Sequence, residues 1–279
     1  ELLLQPSEGR VLSIKLQKLT TTLYLEFAFC YNWSVMKKTV AIFFLLLVWL
    51  GFIFWANRGL YASVFNSIYW TDKFEHSQWR LSQSRRTIGD DGLYLYEGYR
   101  LMQGGDPTTS NAETPPLGKY LIGLSIKIFG NGYIYGFIIT TLAISGIYAL
   151  TVVLTNNHFI GMATALLVST DPLITEQFSL TMLDSLQLFF LLIMLCLLET
   201  LRKNKKVLSN RWVYLGLGIA FWLFSASKFP FASALIAISI LYFLWKQSKN
   251  LLHISLFLVC TLLGYLIPYI PYFIQGHSL

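Results

Sequence analysis

Residues 36–56 read MKKTVAIFFLLLVWLGFIFWA, a lysine pair followed by an unbroken apolar run. About 20 apolar residues in a helix cross the ~30 Å hydrocarbon core of a bilayer. The run is too long for the h-region of a cleaved signal peptide, and no convincing small-x-small site follows it. It therefore reads as a bacterial-type signal-anchor helix, with Lys37 and Lys38 on the cytosolic side. Met36 is the first methionine of the chain, so residues 1–35 read as an upstream extension or a cytosolic tail.

Working outward, further apolar runs occur at 132–154, 158–175, 178–198, 212–229, 231–245 and 251–273. With 39–56 they predict an all-α polytopic membrane protein of about seven transmembrane helices. Composition agrees. The 279 residues are 55% hydrophobic and only 13% charged, which excludes a soluble domain of this size. The net charge of +7 resides partly in short inter-helix loops, where it sets topology and does not signal nucleic acid. Cys30, Cys196 and Cys260 are scattered among apolar residues and read as small hydrophobes.

The basic loops orient the bundle. ETLRKNKKVLSNR (199–211) and KQSKN (246–250) both belong on the inside. The 57–131 loop, the Asp171 turn, Lys228 and the C-terminal tail then fall on the outer face. Residues 36–279 are thus one transmembrane domain whose first external loop carries juxtamembrane helices. Within that loop, Asp91–Met102 suits an amphipathic helix with its tyrosines at headgroup depth. LGKYLIGLSIKIFG (117–130) repeats the design, with Lys119 and Lys127 placed to snorkel.

Several charged residues are candidates for chemistry. Asp90-Asp91 follows Gly89 at a helix start, where acids commonly satisfy free N–H groups and the helix dipole. Asp184 lies several residues inside a span, where a carboxylate costs roughly 2.5–3.5 kcal/mol at mid-helix and so seeks a partner or a wet cavity. Lys228 closes a helix, where the dipole and snorkelling also account for a lysine. Asp171, Asp184 and Lys228 fall at the same membrane face as the acidic loop.

Four stretches in order carry a resemblance. They are the acidic pair with its amphipathic helix and Pro115-Pro116-Leu117-Gly118-Lys119; Asp171 through Leu183-Asp184; Ala226-Ser227-Lys228; and the tail LIPYIPYFIQGHSL. Together they resemble the protein O-mannosyltransferase family, glycosyltransferases of the GT-C fold, over about residues 37–279. Thr114 stands where that family usually has His, Ser179 where it often has Arg, and Asp91 where Glu is common; its members are also longer.

The resemblance implies an inverting transfer of a mannose-like sugar from a polyprenyl-phosphate donor to a hydroxyl acceptor at the outer face of a bacterial-type plasma membrane. Asp90 would be the general base and Asp91 its neighbour, orienting the acceptor. Lys228, Lys119 and Arg100, with Arg85 and Arg86, are candidate cations for the leaving phosphate, and Asp184, Asp171 and Glu113 complete the substrate-binding set. No metal cluster is evident in the sequence and no cofactor is required by it, although a divalent ion (Mg or Mn) on the acidic pair is compatible with the fold. The expected partners are the lipid donor, a protein or glycan acceptor and the bilayer. Two other readings stay open: an acceptor that is a glycolipid or polysaccharide, and a transporter or inactive scaffold in which Asp184 and Lys228 serve an intramembrane relay.

Overall fold

The computed structural model describes residues 36–109, 111–204, 210–228, 230–248 and 251–274. The expected extension over 1–35 lies outside them. Helices α1 (Met36–Ala56), α2 (Arg58–Tyr61), α3 (Ser67–Glu75), α4 (Asp90–Met102), α5 (Leu117–Phe129), α6 (Tyr133–Thr155) and α7 (His158–Ser169) come first. They are followed by α8 (Pro172–Gln177), α9 (Asp184–Lys203), α10 (Arg211–Ser225), α11 (Pro230–Ser248), α12 (Leu251–Leu266) and α13 (Ile270–Ile274). No strand occurs among the described residues.

Four helices are long and apolar enough to cross a membrane: Met36–Ala56, Tyr133–Thr155, Asp184–Lys203 and Leu251–Tyr269, the last continuing α12 through a 3₁₀ turn. Three shorter apolar helices, His158–Ser169, Arg211–Ser225 and Ser233–Gln247, account for the remaining runs. The chain is an all-α integral membrane protein. The predicted run at 158–175 is divided, because Asp171 caps a new helix and Pro172 opens it, and α7 ends at Ser169. The next run starts its helix only at Asp184, since residues 179–183 form a loop.

Helices α6 and α9 pack side by side and run in the same direction. At one end Gly136 of α6 lies so close to the Leu180 carbonyl that a Cβ there would collide with backbone. At the other end Lys203 Nζ donates to the carbonyls of Val153 and Leu154, the latter at 3.2 Å. One turn from the first end, Thr140 Oγ1 donates to Ser185 Oγ at 3.1 Å, a buried bond between spanning helices of the kind worth about 0.6 kcal/mol. Helix α7 returns the chain between them. Helix α1 joins from the flank, its Leu46 and Ile53 packing on Ile144, Met162, Ala165 and Phe178. Much of α1 otherwise faces outward, with Phe44 and Val48 well exposed, as a lipid-facing helix requires.

The 57–131 segment is a folded layer capping one end of this pair. Phe74, Ile88, Leu93 and Tyr96 form a small core, with Phe74 stacked on Tyr96 at 4.3 Å. Gln78 pins the intervening turn by bonding the Ile88 carbonyl at 2.8 Å and accepting from the Ile88 N–H at 3.0 Å. The tyrosines of α4 therefore differ from expectation: Tyr94 and Tyr96 are buried within the protein, not laid out at headgroup depth. The layer is anchored by Asn131 Nδ2, which donates to the carbonyls of Leu60 at 2.8 Å and Tyr61 at 3.1 Å.

Candidate active site

The site assembles where the layer meets the α6–α9 pair. Gly89, in extended conformation, precedes α4 and offers no side-chain cap, leaving Asp90 and Asp91 as the first-turn acids. The helix dipole favours negative charge there. Asp90 is exposed and Asp91 half-buried. Thr181 Oγ1 donates to the Asp91 carbonyl at 2.6 Å, tying the start of α4 to the loop that leads into α9. The bond joins residues ninety positions apart and meets the loop three residues before Asp184.

Tyr94, one turn into α4 and 3% exposed, is the hub. Burial pushes its phenol up to about 12; a hydrogen bond from Thr114 opposes that, while the nearby charges of Asp90, Asp184 and Glu113 reinforce it. The charges of three carboxylates, from three segments, thus bear on one neutral hydroxyl. A phenol held protonated in this way remains a hydrogen-bond donor throughout the neutral range.

Asp184 and Lys228 meet directly. Lys228 Nζ donates to both carboxylate oxygens of Asp184, at 2.7 and 2.8 Å. The lysine side chain is 11% exposed and the carboxylate 47%, so the pair opens toward solvent on its acidic side. Lys228 was expected in the last turn of a helix. Instead α10 ends at Ser225, and residues 226–228 bend the lysine onto the first residue of α9. A lysine at such a depth is retained by a partner, and here the partner is named.

The other candidates take different places. Lys119, expected to snorkel, is 1% exposed and donates to the carbonyls of Asn111 at 2.7 Å and Thr114 at 2.9 Å. Arg100 pairs with the buried Glu97 at 2.8 Å and donates to the Asp106 carbonyl at 2.6 Å. Both reach these positions because α4 and α5 lie almost in backbone contact: a Cβ on Gly98 would sit 2.7 Å from the Lys119 carbonyl. Glu113 is exposed, in the segment between them. Asp171 is exposed and caps α8, accepting from the Leu173 N–H at 2.9 Å, which is a structural duty. Arg86 pairs with Asp72 at 3.5 Å on the open surface of the layer, and Arg85 is exposed beside it.

Sequence reading gave no site role to Tyr94, Glu97, Thr114 and Thr181. The signal for Thr181 was present, a hydroxyl in the polar break before Asp184. Tyr94 and Glu97 gave none, because their burial depends on α5. Among the described residues no three His, Cys, Asp or Glu side chains are grouped as a metal site.

An apolar groove of about 420 Å³ lies elsewhere, between α1, α6 and α7, lined by Phe43, Leu46, Thr141, Tyr148 and Met162. Tyr148 is about 22 Å along α6 from Tyr133, at 1.5 Å per residue. The groove is thus lateral to the bundle, running along α6 from Thr141 to Tyr148.

Comparison with known proteins adds the family. A search of curated proteins and a search of solved structures each gave no match. The dolichyl-phosphate-mannose-protein mannosyltransferase family matches residues 113–274, a stretch that starts at Glu113 and takes in Lys119, Asp184 and Lys228. With over half of the chain matched, and with an acidic site at one end of an apolar helix bundle, the chain belongs to the dolichyl-phosphate-mannose-protein mannosyltransferase family and is a membrane glycosyltransferase.

Proposed function

We propose that the protein moves mannose from a polyprenyl-phosphate donor to a serine or threonine hydroxyl of a protein, at the outer face of the membrane, with inversion at C1. The observation that carries this is the Lys228–Asp184 pair, joined to the start of α4 and its acidic pair by the Thr181 bond to the Asp91 carbonyl. The donor enters from the bilayer beside the α9–α10 end and sets its phosphate against Lys228. The acceptor oxygen attacks C1 from the opposite side. The new oxygen–C1 bond forms as the C1–phosphate bond breaks, and the bonding pair leaves with the phosphate.

Asp90 takes the proton of the acceptor hydroxyl. Its exposure lets an acceptor reach it, and the hydroxyl acidifies as it bonds to C1, which is when a carboxylate becomes an effective base. Such a base contributes about 10²–10⁴-fold. Asp91, held through its backbone by Thr181, sets the direction of the pair. Lys228 meets the charge that develops on the departing phosphate, and Asp184 fixes the ammonium in place beforehand. Tyr94 donates a hydrogen bond within the site. The outer-face assignment is supported by the basic residues: Arg202, Lys203 and Arg211 lie at the far end of α6 and α9, where retained positive charge marks the inside.

The test is transfer from mannosyl-phosphoryl-polyprenol to a membrane-impermeant serine/threonine peptide in intact spheroplasts expressing the chain. The expected product is an O-mannosyl peptide of inverted anomeric configuration. Product formed only with inside-out vesicles would reverse the sidedness. A mannosylated lipid or glycan, with the peptide untouched, would replace the protein acceptor.

A further inference from the structure

Between α4 and α5 the chain runs as a strap, residues 106–114, in which Ser110 lies outside the described residues. Side chains from both neighbouring helices hold its backbone. Arg100 Nη2 bonds the Asp106 carbonyl at 2.6 Å, and Lys119 Nζ bonds the carbonyls of Asn111 at 2.7 Å and Thr114 at 2.9 Å. Asp106 in turn shapes the first turn of the strap, accepting from Thr108 N and Oγ1 at 2.8 Å each. The two cations share a counterion: Arg100 pairs with Glu97 at 2.8 Å, and the charge of Glu97 also bears on Lys119.

This is a costly way to satisfy the Asp106 and Asn111 carbonyls, which belong to partly exposed residues that water would serve. Burying a lysine and a glutamate, each 1% exposed, is disfavoured unless the geometry they impose is needed. What they impose is the place of the last two strap residues. Thr114 bonds Tyr94, and Glu113 lies within electrostatic reach of it. The Pro115-Pro116 pair then carries the chain stiffly into α5.

We infer that Lys119 and Arg100 are positioning residues: with Glu97 between them, they clamp the strap so that Glu113 and Thr114 stay beside Tyr94 and Asp90. The clamp rests on the mannosyl-transfer reading only for what the strap encloses. Neither cation is a ligand of the donor phosphate. Both act through the strap, which forms one wall of the acceptor's approach to Asp90. A displacement of about 1 Å in such a wall costs on the order of 10²-fold in rate.

Hydrogen exchange on the full chain in nanodiscs tests the clamp without requiring turnover. In Lys119→Met, amides of residues 106–114 should exchange about tenfold faster or more, the loss of bonds donated by a charged group, while α6 and α9 keep their protection. Lys119→Arg should restore it. Unchanged strap exchange in Lys119→Met overturns the clamp. Should that variant lose protection throughout, Arg100→Gln decides, since it frees the Asp106 end: strap exchange alone must rise, and no rise again overturns it.

Turnover supplies a second readout. Lys119→Met should lower kcat about tenfold or more with the donor KM within about twofold, the pattern of misplaced chemistry. A raised donor KM at unchanged kcat would make Lys119 a donor ligand and refute the inference. Burial lowers Lys119 to about 8, with Glu97 and Glu113 opposing and Arg100 reinforcing. The wild-type kcat/KM should therefore fall as pH rises through about 8, where the ammonium that holds the strap is lost, and Lys119→Arg should lack that limb. Absence of any mannosyl transfer would count against the proposed function and leave the exchange result to judge the clamp.

Discussion

The two ends of the α6–α9 pair both carry ionised side chains, and they differ in how deeply the charges are buried. At the far end Arg202 pairs with Glu199 at 2.6 Å, the arginine 59% and the glutamate 12% exposed. At the site end the Lys228–Asp184 pair is likewise open on one side, at 11% and 47%, but Glu97 and Lys119 are each 1% exposed. Exposed pairs contribute little because water screens them and competes for their hydrogen bonds. Buried ones are costly to assemble and costly to break. On the proposed topology the far-end charges mark the inside. The site end uses charge to fix groups in space, and that is where chemistry is to be sought.

Substitutions at the two ends should therefore differ widely. The largest effect is expected from Asp90→Asn, which removes the proposed base while keeping shape: transfer should fall about 10²–10⁴-fold with expression intact, measured as initial rate in membranes. Wild-type turnover would strike Asp90 from the mechanism. Next, Lys228→Met should lower transfer on the order of 10²-fold, because the phosphate loses a preset cation and Asp184 its partner. Asp184→Asn should lower it less, since the lysine remains. If the two single losses add in the double variant, the pair does not act as a unit and the contrast between the ends weakens.

A smaller effect is expected from Gly98→Ala. The new Cβ would stand 2.7 Å from the Lys119 carbonyl and 2.8 Å from Gly123 N, so α4 and α5 must separate. Such overpacking costs about 1–3 kcal/mol and should appear as a lowered thermal midpoint in detergent. The least effect is predicted for Arg202→Ala, which should leave both the midpoint and the transfer rate unchanged. A large loss there would show that the far end is more than a topological marker.

Much of the bundle was legible in the sequence, because apolar runs bounded by basic loops leave few alternatives in a bilayer. The break after Ser169 was legible too, in Asp171-Pro172, a cap followed by the one residue that suits the first helical position. It was masked by the uniform apolarity of the run around it. Asp184 and Lys228 stood out as charges in apolar surroundings, and Asp90-Asp91 as an acidic pair at a helix start in the long loop. The burial of Tyr94, Glu97 and Lys119 was not readable, because α4 is covered on one side by α3 and on another by α5, and no periodicity within thirteen residues encodes two neighbours. The bonds from Lys119 to strap carbonyls depend on backbone placement, to which side-chain type is blind.

The central claim is one of place: the donor headgroup sits where α4, the loop before α9 and the end of α10 meet. A polyprenyl-phosphate analogue with a photoreactive group next to the phosphate tests it most directly, with adducts mapped by mass spectrometry on the full chain. Adducts within residues 90–95, 181–184 and 226–228, suppressed by excess unlabelled donor, are the predicted result. Adducts confined to the groove lined by Phe43 and Tyr148, or to the basic end near Arg202, would contradict it.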